Sequence, residues 1–244
     1  MSDPANYWFQ ATDSYFIGKS LRFRGNQHLG PTRGGGSGDR NGHTLSFWFK
    51  SQKNNPYGNY FFGKWRDQGW RINNDPSNTV FQAINTDRGE TASGTYPAGQ
   101  WFHVFLTTNT LNNGQVWING VQNNGTWKTP GNNFADEFYI GWEGYSNEGR
   151  LHALMADVHF IDRASGGSTS VTYSDFGERN AAGVWVPKKA VVPDYGRNGF
   201  HLDFSDPTNI GADRSGKGNN VSANGFQLTN PSGSDYDWIN DGPS

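Results

Sequence analysis

The run Leu151-His152-Ala153-Leu154-Met155-Ala156-Asp157-Val158-His159-Phe160-Ile161-Asp162 decides how the rest of the chain is read. From Leu154 onward its side chains alternate. Leu154, Ala156, Val158 and Phe160 fall on one face, and Met155, Asp157, His159 and Ile161 on the other. A period of two over this length predicts a β-strand with one face committed to a core. The second face carries a carboxylate and an imidazole side by side, which suits a catalytic, a sugar-binding or a merely solvated surface.

Working outward, the same rhythm recurs. Residues 44–50 put Leu45, Phe47 and Phe49 on one side, with Ser46, Trp48 and Lys50 on the other. Residues 100–108 divide Phe102, Val104 and Leu106 from His103 and Phe105. Shorter alternating runs lie at 20–29, 60–65, 69–73, 79–86 and 138–142, with turn residues between them, a spacing that predicts an all-β sandwich or barrel. Within 115–122 the pair Asn119-Gly120 interrupts an alternating run and predicts a tight hairpin, because both central residues of that turn need positive φ. The glycine-rich stretch 30–42 is followed by a strand and lacks the Lys-Ser/Thr pair of a phosphate loop, so it reads as a surface loop.

Composition agrees. The 244 residues include 33 Gly, 10 Trp, 10 Tyr and 17 Phe against 33% hydrophobic content, which suits short pleated strands joined by Gly/Asn turns. A chain this long can bury a substantial core without staples. The net charge is −2 and basic residues do not cluster, so a nucleic-acid footprint is not expected. With no cysteine, a disulfide framework and thiolate metal sites are excluded. The N-terminal residues do not read as a signal peptide, and no run approaches the ~18 apolar residues of a membrane span. Three regions are expected: an aromatic arm over 1–19, one sandwich over 20–230, and a loosely held polar tail over 231–244.

Several segments resemble, in order, the laminin-G-like (concanavalin A-like) jelly-roll modules of tailed-bacteriophage virion proteins. They are Ser20-Leu-Arg-Phe, Thr44-Leu-Ser-Phe-Trp-Phe-Lys, Trp101-Phe-His-Val, Val116-Trp-Ile-Asn-Gly-Val and Ala156-Asp-Val-His-Phe-Ile-Asp. Further on come Gly183-Val-Trp-Val-Pro-Lys, Gly196-Arg-Asn-Gly-Phe-His-Leu-Asp-Phe-Ser-Asp and Ile210-Gly-Ala-Asp-Arg-Ser-Gly-Lys-Gly-Asn, the three most specific to the phage group. The resemblance implies an all-β fold of two antiparallel sheets packed as a jelly roll. It also implies a virion structural protein assembled in the host cytoplasm, as a capsid decoration or tail-associated accessory subunit adhering to host glycans. A tail fibre or receptor-binding lectin is one alternative, and a secreted carbohydrate-binding or glucanase-like protein another. The expected partners are other virion proteins, a host surface glycan and further copies of the chain.

The resemblance also frames the chemistry. Glycoside hydrolases of this fold carry two glutamates on one strand, with the carboxyls ~5–5.5 Å apart for retention. The nearest residues here are the shorter Asp157 and Asp162, with His159 between them. No catalytic residue is therefore assigned. Trp48, His103, Trp117, Asn119, Asp157 and His159 are the candidate sugar-binding set, because outward aromatic faces stack on sugar rings while Asn, Asp and His bond hydroxyls. The competing reading is that this face packs against the arm or another subunit. Trp65, Trp70 and Trp142 form a candidate rim platform. Tyr7, Trp8, Phe9, Tyr15 and Phe16 are the candidate partner-docking arm. The stretch Asp213-Arg-Ser-Gly-Lys-Gly-Asn219 lacks the oxygens of a calcium loop at Lys217 and Asn224, so no metal site and no cofactor is assigned.

Overall fold

Alternating residues build the strands, and the strands build two sheets. The structure, a computed structural model, describes residues 15–31, 42–51, 59–64, 68–75, 78–84, 97–110, 113–123, 138–144, 150–163, 166–228 and 236–244. In chain order the strands are β1 (Ser20–Arg24), β2 (His28–Leu29), β3 (His43–Ser51), β4 (Asn59–Lys64), β5 (Gln68–Asp75) and β6 (Asn78–Ile84). There follow β7 (Trp101–Thr110), β8 (Asn113–Ile118), β9 (Val121–Asn123), β10 (Tyr139–Ile140) and β11 (His152–Asp162). The last are β12 (Gly177–Arg179), β13 (Trp185–Pro187), β14 (Phe200–Leu202), β15 (Ala223–Asn224) and β16 (Trp238–Ile239).

The larger sheet runs β16-β1-β11-β3-β7-β8-β9, with β14 pairing the upper half of β11. The smaller runs β15-β2-β10-β4-β5-β6, and β12 with β13 makes a separate ribbon. Strand pairing in both sheets is antiparallel, as a jelly-roll sandwich requires. Leu45, Phe47 and Phe49 of β3 and Phe102, Val104 and Leu106 of β7 all lie in the core between the sheets. Phe47 packs its ring 5.1 Å from that of Phe61 and 5.2 Å from that of Phe62, two residues of the opposite sheet. The hairpin at Asn119-Gly120 forms as predicted. Both residues have positive φ, 49° and 73°, and Ile118 pairs with Val121 across the turn.

Two expectations need correction. β11 does not alternate uniformly. Ala156 pairs with Trp48 and His159 with Ser46, so Asp157 and Val158 together oppose Phe47 in a bulge. Asp157 takes φ 50°, a left-handed conformation that aspartate tolerates better than most residues. The bulge inverts the alternation. Met155 joins Val158 and Phe160 in the core, whereas Ala156 packs on the outer face with Trp48.

The polar tail is likewise not loose over 236–244. β16 pairs with β1, Ser20 opposite Ile239 and Leu21 opposite Trp238. Asp237 is fully buried, forms an ion pair with Arg24 Nε at 2.9 Å, and accepts a hydrogen bond from the Gln227 N–H. Residues 15–19 lie beside this end: Ile17 donates its N–H to Pro243 O, and its side chain is buried against Trp48 and Ala156. A Cβ on Gly242 would sit 1.5 Å from Ile17 O, so this approach requires glycine.

Candidate functional site

The outer face of the large sheet is covered, and this determines where each candidate residue sits. Residues 166–204 fold back across β11, β3 and β7 and bury Phe105, Ile161, Phe176 and Tyr195 in a second apolar cluster. The ribbon β12–β13 presents Trp185, which occupies the space a side chain would need at both Gly120 and Gly177. The expected open binding face is therefore a packed layer. Trp48, His103, Asp157 and His159 are outward with respect to the core, as read from the sequence, but each is at most 4% exposed.

His103 is the centre of an aromatic stack. Its ring lies 5.0 Å from Trp48 and 6.0 Å from Trp185, near-parallel to both. Trp185 Nε1–H donates to His103 Nδ1 at 3.1 Å, which leaves the proton on Nε2, 2.9 Å from Ser46 Oγ. Burial lowers the His103 pKa to about 3, so the ring stays neutral. Asn119 is engaged in the hairpin, where its Oδ1 accepts from the His103 N–H at 2.8 Å. Both residues thus serve architecture. The rim platform does not assemble either: Trp70 is fully buried in the core, Trp142 stacks on His28 at 4.9 Å, and Trp65 lies outside the described residues.

Asp157 and His159 meet a histidine the sequence did not single out. His201, on β14, pairs opposite His159, and the two imidazoles stack at 3.9 Å and 11°. His201 Nε2 lies 2.7 Å from Asp157 Oδ1, and His159 Nε2 lies 3.1 Å from Asp157 Oδ2. The Tyr195 hydroxyl lies 2.8 Å from His159 Nδ1. Burial pushes Asp157 up, but the adjoining imidazoles of His159 and His201 outweigh it and hold the carboxyl well below its usual range. Burial, then the neighbouring His201, pushes His159 down, so its imidazole is neutral. The other acid of the strand, Asp162, is buried and accepts from Asn198 Nδ2 at 2.8 Å.

Of the candidate set, Trp117 lines a cleft among the described residues. A cleft of about 360 Å³ is lined by Phe105, Thr107, Gln115, Trp117, Arg163 and Tyr173, among others. Trp117 and Tyr173 form one aromatic wall, stacked at 5.6 Å and 23°. Opposite, Arg163 donates from Nη1 to Thr108 O at 3.2 Å, and Thr107 Oγ1 accepts from Thr44 Oγ1 at 3.1 Å. Tyr173 and Arg163 escaped the sequence reading because neither belongs to an alternating run. Tyr15 and Phe16 of the arm are exposed, 37% and 68%, while Tyr7, Trp8 and Phe9 lie outside the described residues. The Asp213 carboxylate is used up within the chain's own turn and by β14. It accepts from the N–H groups of His201, Ser215 and Asn219 and from Ser215 Oγ.

Residues 24–168, more than half the chain, match a laminin-G-type family model described as the concanavalin A-like lectin/glucanases superfamily. Among solved structures, the chain is 17% identical to a protein from Bacteroides ovatus described as a candidate carbohydrate-binding protein. That match covers 86% of this chain and 59% of the other, with a TM-score of 0.57. The chain thus spans well under two thirds of that protein. Domain 4 of an extracellular arabinanase from Geobacillus stearothermophilus, solved with arabinotriose, is 20% identical over 59% of this chain and 70% of its own, with a TM-score of 0.43. Domains of the mouse laminin alpha1 chain are 12% identical over 60% of this chain and 42% of theirs, with a TM-score of 0.42. No curated protein matches the chain.

Proposed function

The chain belongs to the concanavalin A-like lectin/glucanases superfamily, and from that premise we propose that it is a non-enzymatic glycan-adhesion protein of a tailed-phage virion, a capsid-decoration or tail-associated accessory subunit. The observation that carries the glycan half is the Trp117–Tyr173 cleft. A flat aromatic wall takes the apolar face of a sugar ring, while Thr107, Gln115 and Arg163 offer hydroxyl, amide and guanidinium groups to its hydroxyls. The Bacteroides ovatus protein offers a precedent of the same fold.

The two carboxylates nearest the glucanase positions support adhesion without hydrolysis. A retaining mechanism needs one carboxyl free to attack and another able to give up a proton. Asp157 is enclosed by two imidazoles and kept ionised, and Asp162 is buried against Asn198. The virion half rests on the resemblance of the segments from Gly183, which in this fold include the cover over the outer sheet. The exposed Tyr15 and Phe16 supply an attachment point for a virion partner. The test is a glycan array of neutral and acidic oligosaccharides probed with the purified chain and with Trp117→Ala. Retained oligosaccharides and a loss of about tenfold or more in affinity in the variant are expected, the worth of one ring-stacking contact. A blank array, or equal binding by the variant, would overturn the glycan half.

A further inference from the structure

We propose that Asp157, His159 and His201 form a binding site for one divalent transition-metal ion of the Zn²⁺ class. The donor atoms of the three side chains all lie within 4.8 Å of one another. Two imidazole nitrogens with one carboxylate oxygen is a donor set that suits zinc and its neighbours in the first transition row, and suits calcium or magnesium poorly.

The site is built by the backbone. The bulge at Asp157 turns its carboxylate beneath the two rings, and the antiparallel pairing of β11 with β14 places His159 directly opposite His201. His201 is fixed from behind as well. Its N–H donates to Asp213 Oδ1 at 2.9 Å, and its carbonyl accepts from the Arg214 N–H at 2.8 Å.

The observation that calls for a ligand is His159 Nε2. This atom is buried and makes no hydrogen bond, although it faces Asp157 Oδ2 at 3.1 Å. A buried polar nitrogen left so is costly, and a cation between it and the carboxylate removes the cost. The far nitrogen of the same ring is already oriented by the Tyr195 hydroxyl, the supporting contact a ligating histidine needs.

Among the described residues, the triad is reached from the His201 side. The His201 side chain is 21% exposed, against 2% for His159 and 5% for Asp157. Because the two rings stack face to face, an ion bridging both nitrogens requires the His201 ring to swing out of the stack, and its exposure permits that. Three protein donors leave a fourth position for water. The bound ion would add a side-chain link between β11 and β14 to their backbone pairing.

The test uses the full chain without a polyhistidine tag, stripped with EDTA and titrated with ZnCl₂ by calorimetry, with metal content measured after dialysis. One zinc per chain is expected. A Tm rise of about 5–10 °C is expected at a hundredfold excess over Kd, with no comparable rise in CaCl₂. His201→Ala should weaken zinc binding at least tenfold with an unchanged circular-dichroism spectrum, while His28→Ala, on the other sheet, should bind as wild type does. If His201→Ala does not fold, Asp157→Asn takes its place with the same expectation. Substoichiometric zinc, an equal response to calcium, or unchanged affinity in the triad variant would overturn the assignment.

Discussion

The inner and outer faces of the large sheet come from the same strands and the same alternation, yet they are different materials. Inward, β3 and β7 contribute Leu45, Phe47, Phe49, Phe102, Val104 and Leu106 to a dry interface of interlocking rings. Outward, they contribute Ser46, Trp48, His103 and Phe105, joined by Asp157 and His159 of β11, and Ser46, His103 and Asp157 there make directed polar contacts. The inner face is held by shape and area. The outer is held by stacked rings and specific bonds beneath a cover with little regular structure. Burial alone therefore does not distinguish core from site; the chemistry of the buried face does.

The contrast can be broken from either side. Phe47→Ala removes a fully buried ring from the inner face, and a loss of about 3–5 kcal/mol is expected in urea unfolding. A loss below about 1 kcal/mol would mean that the inner face repacks freely. Trp185→Ala removes the cover's ring from His103 and its bond to Nδ1, but Trp185 is only partly buried, so about 2–3 kcal/mol is expected. A cost equal to that of Phe47→Ala would erase the distinction between the faces.

Acid sharpens the comparison, because each face holds a buried imidazole whose pKa burial lowers, His103 on the outer and His43 on the inner. His43, between Trp70 and Phe160 on the inner side, is also lowered to about 3, by burial and then by Arg163. Both rings are neutral in the folded protein and titrate near 6.5 once unfolded. The unfolded chain therefore binds more protons between pH 6.5 and 3. The stability these rings contribute is fully present above 6.5 and is lost as the pH falls. By pH 5 the loss is about 2 kcal/mol for each ring. Urea midpoints at pH 7 and pH 5 should converge in His43→Gln and in His103→Gln relative to wild type, and unchanged slopes would refute it.

The inner face was legible in the sequence because nothing but period-two alternation is needed to build it, and Asn119-Gly120 marked its hairpin in the same way. The outer face was half legible. Trp48, His103, Asp157 and His159 were correctly placed opposite the core, yet their exposure was misjudged. Their cover has no period to read, and Tyr195 and His201 reach them from distant parts of the chain. The inversion at Asp157 was hidden because a bulge adds a residue without altering composition. Met155 was consequently assigned to the wrong side. β16 escaped because Ser20 finds Ile239 across almost the whole chain, and no local pattern announces so distant a partner. Trp117 was read as a sugar-stacking residue on its own; its wall partner Tyr173 lies in a short 3-10 turn.

The meeting of Ile17 with Pro243 and of Ser20 with Ile239 has a mechanical consequence. β16 and β1 form one margin of the large sheet, whereas Trp117 on β8 lies four strands across from β1, roughly 19 Å at the usual interstrand spacing. A partner that grips the β16–β1 edge would hold the body by one side and turn the opposite edge outward, so anchorage and grip would not contend for the same ground.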